Sequence, residues 1–145
     1  MTAQAMEIIY IDGVKHHMAS LPFGQYLDDL NNTPKFRWQS TACWRGYTGT
    51  WKIKDDKLFL IGLDGYIRTI DKRNQKFDIS YFFPEQNEVF AEWFTGEIRI
   101  PIGELLQYIH MGYASVYEKD LLIQIEDGMV INKREIDNTL VLEPD

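Results

Sequence analysis

Period-two alternation of apolar and polar residues, interrupted at short intervals by Asp-Gly pairs, restricts this chain's fold more than any other feature. Glu7 to Ile11 and Val14 to Met18 flank Asp12-Gly13, and Leu121 to Glu126 and Met129 to Ile131 flank Asp127-Gly128. Asp-Gly takes up the two positive φ angles of a type I′ turn at little steric cost, so each pair reads as a β-hairpin. Trp51 to Ile53 and Leu58 to Leu63 are joined by the polar Lys54-Asp55-Asp56-Lys57, and Val89 to Phe94 meets Glu97 to Ile102 across Thr95-Gly96. That makes eight strand candidates. In Glu97 to Ile102 the isoleucines point one way and Glu97 and Arg99 the other, and Leu121 to Glu126 repeats the pattern. Strands with one wet face belong to antiparallel sheets.

Helical signal is shorter. Phe23 to Leu30 is one candidate, and Leu105, Leu106 and Ile109 share a helical face after Gly103-Glu104, with Gly112 placed to end it. Asp71 to Gln75 reads as an exposed turn. The expected fold is therefore mostly β (α+β): an antiparallel curved or two-layer sheet of about eight strands with one or two short helices. A chain of 145 residues buries enough surface for a single globular domain, residues 1–145, without a metal or disulfide. The one cysteine, Cys43, has no intramolecular mate; this points to a reducing, cytoplasmic setting and a buried thiol. The start of the chain has no basic, apolar leader pattern, and no stretch reaches the length of a membrane span, so no membrane partner is expected.

Charge is divided unevenly between the two halves. Residues 1–73 carry ten Lys/Arg against eight Asp/Glu, and residues 74–145 carry five against fourteen. Carboxylates are seldom buried unpaired, so the second half must present an anionic surface that attracts cations and basic proteins and repels phosphate backbones. The bland reading of such a surface is solubility alone. The chain also holds twenty aromatic residues, which serve a β core first and interfaces or base stacking second. Base stacking needs a basic groove beside the rings. Lys35, Arg37 and Arg45 near Trp38 and Trp44 offer a slight one, while the net charge of −7 opposes direct nucleic-acid binding.

No catalytic constellation emerges. The chain lacks a G-x-S-x-G elbow, a G-x-x-x-x-G-K-[ST] phosphate loop, a G-x-G-x-x-G turn and an H-E-x-x-H helix, so no catalytic residue, cofactor or metal is expected. His16 and His17 are adjacent and point to opposite faces of a strand, which prevents joint chelation. His110 and Glu118 could form an acid/base pair only through tertiary placement that sequence does not encode.

Residues 90–128, FAEWFTGEIRIPIGELLQYIHMGYASVYEKDLLIQIEDG, carry an E-W-F-x-G-E-[IL]-R-[IL]-P run, then Tyr-x-His-Met-Gly-Tyr, then Tyr-Glu-x-Asp before an apolar strand. This segment resembles a family of small bacterial proteins. The family includes an immunity protein of a contact-dependent growth inhibition system, similar in fold to the Whirly proteins and paired with a ribosome-targeting RNase toxin. The resemblance implies a Whirly-like fold and a cognate toxin nuclease domain, a basic protein, as partner. It transfers no toxin-contact residue. Electrostatics suggests the acid-rich middle of the chain for that contact: Asp64, Asp71, Asp78, Glu85 and Glu88, with Tyr81 and Phe82 as aromatic anchors. The other two readings are a housekeeping β domain that binds a small ligand or protein, and a single-stranded nucleic-acid binder.

Overall fold

The computed structural model describes residues 6–29, 46–68, 74–109 and 113–139, and the statements below concern these. In chain order the elements are β1 (Glu7–Ile11), β2 (Val14–Met18), α1 (Phe23–Asp28), β3 (Tyr47–Lys54), β4 (Lys57–Arg68) and β5 (Asn74–Asp78). After the 3-10 turn Ile79–Tyr81 come β6 (Val89–Phe90), β7 (Gly96–Gln107), β8 (Val116–Glu126) and β9 (Met129–Asp137). All nine strands belong to one open sheet, with the path β2-β1-β3-β4-β9-β8-β7 and with β5 and β6 also attached to β4.

The turn chemistry explains the hairpins. Asp12 and Gly13 have φ of 51° and 78°, and Asp127 and Gly128 have 49° and 82°, the two positive values that a type I′ turn requires. Asp55 and Asp56 adopt 53° and 57°, so the β3–β4 connection is a third turn of this kind, built without glycine. Strand β4 is long enough to meet several partners along one edge: Lys57 pairs with Met129 of β9, Phe59 and Leu60 with β6, and Asp64 to Arg68 with β5.

The fold is mostly β, as expected, and four details differ. The sheet is mixed, because β1 runs parallel to β3, Ile8 opposite Thr50 and Ile11 opposite Ile53. Val89 to Phe94 and Glu97 to Ile102 do not form a hairpin; β6 pairs with β4 and β7 with β8. Between them the Phe94 N–H closes a turn on the Ala91 C=O at 3.1 Å, which redirects the chain. Residues 103–107 are strand, not helix, with Leu105 opposite Tyr117 and Gln107 opposite Val116 across two irregular steps. The Glu118 carboxylate accepts the Glu104 N–H at 2.7 Å, and a Cβ on Gly103 would lie 2.9 Å from that of Glu118, so cross-strand contact overrides a weak helical period. Asn74 and Gln75, read as part of the exposed turn from Asp71, instead open strand β5 (Asn74–Asp78).

The core is one cluster that spans the bend of the sheet. Ile9, Trp51, Ile53, Leu58 and Leu60 pack with Ile98, Ile100, Ile123 and Ile125. The two ends of the strand path also approach each other: the Ala19 N–H donates to the Arg99 C=O at 2.8 Å, and the Arg99 N–H donates to Ser20 Oγ at 3.0 Å. Helix α1 closes one end by inserting the fully buried Phe23 among Tyr47, Phe82, Phe83 and Trp93. Most of the aromatic surplus near this end is therefore core.

Candidate protein-binding surface

The acidic surface is built where β4 ends against β5. Alternation places Gly65 and Ile67 with Phe77 on the buried side, which leaves Asp64, Lys76 and Asp78 exposed on the other. Asp64 and Asp78 are direct cross-strand partners. Two carboxylates opposite one another repel, so this rung weakens the sheet unless a cation serves it. Lys76 Nζ lies 3.8 Å from Asp64 Oδ1, with both side chains about 70% exposed (69% and 72%), and solvent screens such a pair heavily. Asp78 caps the following turn: its Oδ1 accepts from the Ser80 hydroxyl and, at 2.9 Å, from the Ser80 N–H. Those donations, the hydroxyl first, hold its carboxyl below the ordinary value of 3.8. Asp78 is thus an exposed anion.

A cleft of about 390 Å³ opens beside this rung, lined by Gln75, Lys76, Phe77, Asp78, Ser80 and Tyr81. Tyr81 is 49% exposed, and its ring leans on Phe77 at 5.9 Å. Asp64 and Asp78 are therefore neighbours, and Tyr81 lines the same cleft as Asp78. Glu85 is exposed in the turn that follows, with φ of 66°. The other expected contacts sit differently. Phe82 packs against Phe23 at 5.2 Å and against Tyr26 and Phe77, so it anchors the core. Glu88 is bound to Lys52 Nζ at 2.7 Å, which largely cancels its charge. Asp71 lies outside the described residues, as do Cys43, His110 and the Lys35, Arg37, Arg45, Trp38 and Trp44 group.

Sequence reading missed β5 and three of the cleft residues it supplies, Gln75, Lys76 and Phe77. The run Asn74-Gln75-Lys76-Phe77-Asp78 offers one apolar side chain, too few to reveal alternation. It also missed a buried carboxylate: Glu7 is fully buried and accepts the Gly49 N–H at 2.7 Å and the Trp51 indole N–H at 2.9 Å. The signal was its position at the end of the Ile9 face of β1, where an apolar residue would be expected. Among the described residues no three His, Cys, Asp or Glu side chains group to hold a metal, and no helix is long and apolar enough to cross a membrane. Comparison with protein-family models, with curated proteins and with solved structures returns no match.

Proposed function

We propose that the protein is an immunity protein that captures and neutralises a basic nuclease toxin on the acidic face around β4 and β5. The observation that supports this reading is the Asp64–Asp78 rung, two exposed carboxylates held opposite one another beside the exposed ring of Tyr81. A nuclease that binds a polyanion carries cations in its own groove, and an inhibitor that presents fixed carboxylates engages the same field. Complementary charge raises association rates toward about 10⁸–10⁹ M⁻¹s⁻¹, and close charge pairs in such complexes couple by roughly 1.5–7 kcal/mol. Tyr81 would supply the apolar contact that charge alone does not. The same negative field disfavours direct nucleic-acid binding.

The test is capture of purified cationic nuclease toxin domains, measured by calorimetry across a salt series. Asp78→Lys combined with Glu85→Lys should weaken binding at least roughly tenfold, the loss of one close charge pair, and flatten its salt dependence. An unchanged affinity and salt slope would remove this face from the interface, and failure to bind any cationic nuclease would remove the function.

A further inference from the structure

We propose that a second copy of this chain pairs with β5 edge to edge, antiparallel, so that Lys76 of each copy lies opposite Asp78 of the other. Among the described residues β5 hydrogen-bonds on one side only, to β4. Among the described residues, a cleft of about 390 Å³ is lined by Gln75 to Asp78 of β5 together with Ser80 and Tyr81. A strand edge that meets no other described strand is a template for another strand.

Backbone direction fixes which residues can take part. The Tyr66 N–H donates to the Gly46 C=O, on the β3 side of β4. Residues along an antiparallel strand alternate in the side to which their N–H and C=O point, so the Tyr66–Lys76 pair is a non-hydrogen-bonded one. Gln75 and Phe77 therefore bond to β4, while Lys76 and Asp78 aim their backbone groups outward. Of the symmetric registers that join outward residues of β5 in two or more pairs, one sets Asn74 against Lys76 twice, a second sets Lys76 against Lys76, and a third sets Lys76 against Asp78 twice, with Phe77 facing Phe77 across the two-fold axis. Charge selects the third, which alone forms two opposite-charge pairs.

That register also relieves a defect of the isolated chain. The outer face would then carry Asp64, Asp78 and Lys76 of the second copy in a row, so the two repelling carboxylates gain a cation directly opposite Asp78. The contact is isologous, as a two-fold dimer requires. Two strands of five residues bury well under the roughly 1,200 Å² of a stable complex, so the dimer is weak and populated from high micromolar to millimolar protein.

Sedimentation equilibrium of the purified protein, with no toxin present, reads this directly. The wild type should associate with concentration and less so in high salt. Lys76→Glu should remain monomeric, and Lys76→Asp combined with Asp78→Lys should associate again because the swap restores both pairs. A wild type that stays monomeric at millimolar concentration, a Lys76→Glu protein that associates equally, or a folded double variant that stays monomeric would each overturn the proposal. Because Asp78 also caps the turn at Ser80, amide exchange on the unaltered protein gives a second reading. Raising its concentration should slow the Lys76 and Asp78 amides while leaving Gln75 and Phe77 unchanged, and equal behaviour of all four would overturn the pairing.

Discussion

Glu85 occupies a backbone conformation that its side chain does not favour. The Gln86 N–H donates to the Phe83 C=O at 3.2 Å around Pro84-Glu85, and Glu85 has φ of 66°, the left-handed value at which glycine is usual. A residue held there against preference is a candidate for function. Glu85→Gly is expected to raise stability by up to about 1 kcal/mol in denaturant melts while weakening capture of a basic partner. The buried Glu7 gives the opposite case, a polar group whose role is cohesion. A Cβ on Gly49 would lie 2.7 Å from the Trp51 indole nitrogen and 3.0 Å from Glu7 Oε1, so Gly49→Ala must displace one of them. The expected cost is about 2 kcal/mol or more, read from the unfolding midpoint, because a donor to a buried carboxylate is lost together with the packing. Ionisation of Asp78 sets a third expectation. Its folded value lies below 3.8 because of Ser80, and Asp137 is lowered likewise by the Thr139 hydroxyl and N–H. Carboxyls depressed on folding contribute stability that is present above the ordinary value and lost as pH falls through and below it. Stability owed to these two turns should be flat from neutral pH down to about 5 and decline below about 4, and Ser80→Ala should reduce that decline in acid melts.

Hairpins were the most legible elements because their information is local. Asp12-Gly13 and Asp127-Gly128 fix both the turn and the register of the strands beside them, and the β1–β2 boundaries follow from the sequence alone. The Lys54–Lys57 connection shows the same geometry without the favoured glycine. Asp56 sits at φ of 57° in the second central position, so Asp56→Gly should stabilise the β3–β4 hairpin by roughly 0.5–1 kcal/mol and raise the melting temperature by a few degrees. Elements that depend on distant partners were not legible. Residues 103–107 read as helix because Leu105, Leu106 and Ile109 fit a helical face, yet β8 captures them as strand with Leu105 46% and Leu106 40% exposed. Parallel pairing of β1 with β3 joins strands with β2 and α1 between them in the chain, and the alternation of either strand says nothing about it. The acidic site was half legible for the same reason. Net charge points to the second half of the chain, but Asp64 comes from the first, and only the tertiary structure shows that it meets Asp78 and that Glu88 pairs with Lys52.

At the scale of the whole molecule both proposals draw on Asp78, one as the opponent of Lys76 in a second copy and the other as a landing point for a cationic partner. If both interactions draw on it, each must weaken the other by the same factor, since linkage between binding equilibria is reciprocal. Lys76 then acts against partner capture twice: it occupies Asp78 of the second copy, and within one chain it lies 3.8 Å from Asp64. Reversing its charge removes the self-pairing and adds an anion to a face that already repels itself. Lys76→Glu should therefore bind a basic nuclease domain several-fold faster than the wild type in stopped-flow mixing at low salt, because steering by net charge acts mainly on the association rate. The advantage should shrink as added salt cuts the Debye length from about 10 Å at 0.1 M to about 3 Å at 1 M, at which point the two proteins should associate at similar rates. A variant that associates more slowly than wild type at low salt would mean that Lys76 itself contacts the partner, and would separate the face used for self-pairing from the face used for capture.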